Sequence, residues 1–239
     1  MPDSATAAPR PELSGRPRRR RLVVTDVDST FVTQEVIELI AEHAGTRDEV
    51  AAVTERAMRG ELDFAASLRE RVATLAGVPV SALDAVREAV ILTPGAAELT
   101  AEVQRRGWEL ALVSGGFAEI LAPLAAPLGI TRWRANRLEV ADGVLTGRTV
   151  GPVVDRAHKE TTLREWAAEL GLGMADTVAV GDGANDLDMI GAAGIGIAFA
   201  AKPLVREQAP YSIDGPRLDE VLRIVDEVDA AAPVASPQD

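Results

Sequence analysis

Two short acidic clusters stand out. Asp26-Val27-Asp28-Ser29-Thr30 places two carboxylates one residue apart, directly after the apolar run of residues 22–25. Gly181-Asp182-Gly183-Ala184-Asn185-Asp186 places two more four residues apart, directly after the apolar run 177–180. Carboxylates gathered at strand ends repel one another unless something neutralises them. A hard divalent cation does so, because Mg²⁺ takes oxygen ligands and keeps several waters. Taken singly, each cluster also suits a solvated turn or a helix N-cap. A capping role explains poorly why two strand-like runs should both end in acidic pairs.

Two further features belong with them. Ser114-Gly115-Gly116 follows the apolar run 109–113, where a small hydroxyl and two glycines leave backbone N–H groups free to hold a phosphate at a helix N-terminus. Lys159 stands where a helix begins, a place where a cation opposes the helix dipole by about 0.3–1 kcal/mol. A lysine facing carboxylates and a phosphate reverses that sign. Alone, the first is an ordinary tight turn and the second a surface lysine. Together the four suit phosphoryl transfer, in which a carboxylate can serve as covalent nucleophile and a metal, a lysine and backbone amides stabilise the transferred group.

These residues need a scaffold. Short apolar runs at 22–25, 109–113, 177–180, 195–199 and 211–213 alternate with helical patterns, the signature of a parallel sheet covered on both faces. Ligands bind such a sheet at the carboxyl ends of its strands, which is where the polar residues gather. Residues 35–92 carry apolar positions at helical spacing and no strand signal, so a small helical cap is expected there, inserted after the first strand and placed to act as a lid. Asp142-Gly143 between weakly alternating segments within 137–154 signals a hairpin flap. A helix is expected over 160–170. The expected organisation is an α/β Rossmann-like core of residues 22–34 and 93–228, the cap at 35–92, a disordered basic leader at 1–21 and a disordered tail at 229–239.

Composition narrows the chemistry further. The chain has 239 residues, 47% hydrophobic but only 3% aromatic, so its core is aliphatic. With no cysteine and two histidines, His43 and His158, it has neither disulfides nor thiolate or histidine-rich metal sites. The net charge is −12. Residues 1–21 hold six arginines against Asp3 and Glu12, leaving 19 basic and 35 acidic residues elsewhere. So acidic a body argues against nucleic-acid binding and leaves an anionic substrate to local donors and a metal. The arginines at 18–21 do not open an export signal, which needs an apolar stretch of about 7–15 residues, because residues 22–25 run straight into Asp26 and Asp28. No apolar run is long enough to span a membrane. The expectation is a cytoplasmic protein, monomer or homodimer, acting on a small molecule.

In the order Asp26-Val27-Asp28-Ser29-Thr30, Ser114, Lys159, Gly181-Asp182-Gly183-Ala184-Asn185-Asp186, the chain resembles the haloacid dehalogenase superfamily of phosphatases. Gln34-Glu35-Val36-Ile37-Glu38, Met58-Arg59-Gly60 with Asp63-Phe64, Ser67-Leu68-Arg69-Glu70-Arg71-Val72, Val113-Ser114-Gly115-Gly116-Phe117 and Ala135-Asn136-Arg137-Leu138 are similar to its phosphoserine phosphatase family. The resemblance covers about residues 22–215. It implies hydrolysis of O-phospho-L-serine, the last step of serine biosynthesis, through an aspartyl-phosphate. It implies Asp26 as nucleophile and Asp28 as general acid and then base. Mg²⁺, with Mn²⁺ as substitute, would be held by the Asp26 carboxylate, the Asp28 backbone carbonyl and the Asp182 carboxylate, with Asp186 behind them. Ser114, Gly115, Lys159 and Asn185 would hold phosphate oxygens, Glu35 the substrate ammonium and Arg71 its carboxylate, while Met58 and Phe64 shield the site. Periodicity alone places Glu35 and Arg71 on a solvated helix face. A related phosphotransferase, or a phosphatase for another small phosphometabolite, remains open on the same scaffold. A phosphate-accepting receiver has no need of a lid, and a silent binder no need of all four clusters.

Overall fold

The computed structural model describes residues 19–231. Residues 1–18 and 232–239, which take in most of the expected leader and tail, lie outside the described residues.

Strand β1 (Leu22–Thr25) is buried along its whole length, and its β-branched residues suit a pleat packed on both faces. The chain then enters four helices, α1 (Val36–Ala44), α2 (Arg47–Met58), α3 (Phe64–Ala73) and α4 (Ala82–Ala89). Their apolar stripes meet through Ile37, Ile40, Val50, Leu68, Val72 and Leu83. It returns through α5 (Ala96–Arg105), β2 (Glu109–Phe117) and α6 (Ala118–Ala125) to a hairpin of β3 (Arg132–Ala141) and β4 (Val144–Val150). Then follow α7 (Arg156–Glu169), β5 (Thr177–Gly181), α8 (Leu187–Ala192), β6 (Ile195–Phe199), α9 (Pro203–Gln208), β7 (Tyr211–Ile213) and α10 (Glu220–Ala231).

The seven strands form one sheet in the order β4-β3-β2-β1-β5-β6-β7, parallel except for the β3–β4 hairpin. Period-two alternation divides the core. Val23, Leu112 and Val178 pack with Leu99 of α5 and Val221 of α10 on one face, while Val24, Val113 and Ala179 pack with Leu163 of α7 and Met189 of α8 on the other. Thr25 lies opposite both Leu112 and Val180. The three central strands are therefore in level register at Thr25, Leu112 and Val180, and the residues just beyond these positions share one edge. This is the Rossmann-like α/β core expected from the apolar runs, with helices inserted after β1.

Four boundaries differ from expectation, each for a physical reason. β2 does not stop at Val113 but continues through Ser114-Gly115-Gly116 and re-pairs at Phe117 opposite Asn136 after a register shift. β3 begins at Arg132, where it pairs with Ala111 of β2; Arg132 and Arg134 lay their guanidinium groups over the Trp166 ring at 5.9 and 5.6 Å, which hides the strand behind charged residues. α7 begins at Arg156 because the Asp155 side chain accepts from the His158 N–H at 2.9 Å. Finally, Arg21 is buried against Asp229 of α10 and lies over Trp108, so Arg21 and Asp229 belong to the folded body and not to leader and tail. Among the described residues, no helix is long and apolar enough to cross a membrane.

Candidate active site

The site begins where β1 ends. The Asp26 N–H still donates to the Val180 carbonyl at 2.9 Å, which fixes the Asp26 side chain beside the end of β5. After it the chain turns sharply: the amides of Thr30, Phe31 and Val32 all donate to the Val27 carbonyl, and Ser29 takes φ 57°. The turn aims Asp28 at two donors, the Val36 N–H at 2.8 Å and the Ser114 hydroxyl at 2.9 Å. The Ser114 Oγ in turn accepts from the Gly116 N–H at 2.7 Å. Ser114-Gly115-Gly116 is thus a strand segment whose Gly116 amide is already engaged, not the free helix N-terminus that its composition suggests.

Lys159, the fourth residue of α7, is fully buried. Its ammonium donates to Asp26 Oδ1 and, at 2.7 Å, to Asp186 Oδ1. Asp186 also accepts from the Gly183 N–H at 3.1 Å, and Asp182 accepts from the Thr30 hydroxyl at 3.2 Å. Carboxylate oxygens of Asp26, Asp182 and Asp186 lie within 4.8 Å of one another. Three buried carboxylates thus face one lysine. Burial, then the neighbouring Asp186, pushes Asp26 well above the usual carboxylate range against the pull of Lys159. The same two causes push Asp182 up to about 7. Burial draws the Lys159 ammonium down, but Asp186 and Asp26 outweigh it and the net movement is upward. A divalent cation is the chemistry that removes this excess of negative charge, and the all-oxygen donor set fits Mg²⁺ or Mn²⁺.

Above this floor the helical segment closes a chamber lined by Asp26, Asp28, Glu35, Ile37, Met58, Phe64, Leu68, Arg71, Gly115, Gly116 and Asn185. Asp63 caps α3 by accepting the Ala66 N–H at 2.8 Å, which sets Phe64 at the helix's first position. Arg71, about two turns further along α3, is 3% exposed. Its Nε donates to the Ser67 carbonyl at 3.1 Å and its Nη1 to the Thr54 hydroxyl at 2.9 Å, while Nη2 has no partner among the described residues. Glu35 precedes α1 and accepts from the Ser29 hydroxyl at 2.8 Å. Burial, then Asp28 and Asp182, raise it to about 8. Asp28 is also raised, by burial, against the two hydrogen bonds it accepts. Asn185 is buried, and its Oδ1 has no partner among the described residues.

Every residue singled out from the sequence falls in or directly behind this chamber. Glu35 and Arg71, placed on a solvated face by periodicity, are instead turned inward. Several participants have no role assigned from the sequence. Thr30 and Thr54 hold Asp182 and Arg71, and Asn136 donates to the Gly115 carbonyl at 2.8 Å while accepting from the Val154 N–H at 2.8 Å. The hydroxyls beside Asp28 were the available hint for Thr30; the Asn136 and Thr54 roles depend on pairings distant in sequence.

A family model described as haloacid dehalogenase-like hydrolase matches residues 23–190. A phosphoserine phosphatase of Mycobacterium tuberculosis is 55% identical over 205 residues, 86% of this chain and 50% of that protein. One of Streptococcus thermophilus is 55% identical over 207 residues, 87% of this chain and 96% of that protein. The chain thus spans half the length of the first relative and nearly all of the second. A solved phosphoserine phosphatase carrying a phospho-aspartyl intermediate analogue superposes with a TM-score of 0.84 at 41% identity, covering 86% of this chain and 99% of that one. The chain belongs to the haloacid dehalogenase-like hydrolases and, within them, to the phosphoserine phosphatase family.

Proposed function

We propose that this protein hydrolyses O-phospho-L-serine to L-serine and phosphate through an aspartyl-phosphate on Asp26, as the last step of serine biosynthesis. The observation that carries the reading is the pairing of Arg71 and Glu35 across one closed chamber with Asp26 on its floor. An amino acid offers a carboxylate and an ammonium. Among the described residues the unpartnered Arg71 Nη2 offers a donor to the carboxylate, and Glu35, ionised by an arriving cation beside it, offers a carboxylate to the ammonium, while Met58, Phe64 and Leu68 form the apolar part of the lining.

Lys159 holds one oxygen of Asp26. The other attacks phosphorus, forming the Asp26 acyl phosphate as the bond to the serine oxygen breaks. Asp28 gives its proton to that oxygen; its raised pKa keeps the proton available. Serine leaves, and Asp28, now a carboxylate, takes a proton from the water that attacks the same phosphorus and frees phosphate and Asp26. Ser114, Gly115, Lys159 and Asn185 hold the phosphoryl oxygens as charge shifts among them. A Mg²⁺ or Mn²⁺ ion would be held by the Asp26 and Asp182 carboxylates and the Asp28 backbone carbonyl, with Asp186 behind. When bound, it supplies Lewis-acid neutralisation of the phosphoryl oxygens.

The test is phosphate release with Mg²⁺ across O-phospho-L-serine, its D-enantiomer, phosphothreonine, phosphoglycolate and sugar phosphates. A strong preference for the first is expected. Good turnover of the others with phosphoserine poor would retain the Asp26 chemistry and overturn the roles of Glu35 and Arg71.

A further inference from the structure

Phe64 lies against Gly115, and the Met58 sulfur stands 2.7 Å from where a Cβ on Gly183 would be. Residues 58–64, which join α2 to α3, thus form the lip of the chamber against the core. At the hinge the helical segment 35–92 is fixed by Gln34, which bonds Ala89 and Ile91. On the flap side it is fixed by backbone bonds from Gly77 to Leu145, Leu145 to Val78 and Val80 to Gly143. At the 58–64 lip the contacts are different. Gly60, at φ 78°, comes down on the core so closely that a Cβ there would lie 3.3 Å from both Ala184 and Leu204. One turn before Met58, Glu55 meets the Lys202 ammonium at 2.8 Å. Among the described residues this is the one ion pair joining segment 35–92 to the rest of the chain.

We propose that Lys202 is a positioning residue that latches the helical segment shut through Glu55. Its location suits the task. The Lys202 N–H donates to the Asp182 carbonyl at 3.0 Å, so the latch is anchored on the acidic loop itself. Its charge acts on Asp182 and Glu35 as well as on Glu55. Lys202 and Glu55 are 32% and 42% exposed, so the pair is weak and responds to salt. A weak tether is what a lid that must open at every turnover requires: it biases closure without preventing release. Glu55 also holds Arg59 at 2.8 Å, which keeps the carboxylate in place when the lip lifts.

Amide exchange over residues 56–66 and the kinetics of O-phospho-L-serine hydrolysis together test this. Lys202→Met and Glu55→Gln should each speed exchange in that segment by about two- to five-fold, the population shift such a part-exposed pair can hold. They should raise KM by a similar factor without lowering kcat. The double variant should add little to either single one, and Lys202→Arg should behave as wild type. Raising salt should speed exchange in wild type but not in Glu55→Gln. Unchanged exchange and KM in both single variants would overturn the latch. So would a large fall in kcat at constant exchange, which would place Lys202 in the chemistry instead. The kinetic half rests on the phosphoserine reading; exchange does not, so a protein inactive on phosphoserine but showing the exchange pattern would keep the latch and reject that reading.

Discussion

Phe64 and Gly115 share the space of a single methyl group: a Cβ on Gly115 would stand 2.5 Å from the Phe64 ring carbon Cζ. The helical segment and strand β2 therefore close on each other with no room to spare, and the contact is set by a capped helix on one side and a glycine on the other.

Gly115→Ala should keep the lid from seating. Overpacking of this kind costs about 1–3 kcal/mol, and here the strain is relieved by opening and not by unfolding. The expected outcome is a fall of about tenfold or more in kcat/KM with little change in melting temperature. Full activity would show that Phe64 moves aside freely.

Asp26→Asn should abolish turnover, by at least about 10³-fold, as loss of a covalent nucleophile does. It also removes one charge from three carboxylates that face a single lysine. The variant should therefore melt no earlier than wild type when both are measured in chelator. An active variant would move the nucleophile elsewhere.

The metal-free protein should lose stability as pH rises. Asp182 and Glu35 bind their protons more tightly in the folded chain, with values of about 7 and about 8 against ordinary ones of 3.8 and 4.5. For carboxyls raised in this way, the stabilisation is full below the ordinary value and lost as pH climbs through the folded one. In chelator the melting temperature should fall between about pH 5 and pH 8.5, and added Mg²⁺ should restore most at the alkaline end. A melting temperature that rises with pH over that window would contradict the charge balance described for the site.

Arg71→Ala should separate recognition from chemistry. Removing one partner of a buried charge contact costs about 2–5 kcal/mol, so hydrolysis of phosphoserine should fall by about 10²-fold. A generic aryl phosphate, which has no carboxylate to lose, should be affected far less. Equal losses on both would place Arg71 outside substrate recognition.

The sequence made the acidic floor of the chamber legible because its residues sit at strand ends, where an apolar run stops at an acidic or glycine-rich cluster. Asp26, Asp182 and Ser114 were all visible in that way. What periodicity could not read was orientation. Arg71 and Glu35 look like solvated charges, yet Thr54 and Ser29, distant or unremarkable in sequence, turn them inward. The start of β3 was hidden for a related reason, since Arg132 and Arg134 use their side chains to cover Trp166 and so break the apolar alternation. Ser114-Gly115-Gly116 misled in the opposite sense. Its composition reads as a phosphate-binding turn, but side chains that small also let a strand run on past Asp28, with the Gly116 amide spent on Ser114.

The most direct measurement is acid quenching of the protein during turnover of O-phospho-L-serine with Mg²⁺, followed by peptide mass analysis. The account predicts one added phosphoryl group on the peptide containing Asp26, localised to that residue and absent from Asp26→Asn. A phosphoryl group on any other residue, or none while phosphate is being released, would contradict it.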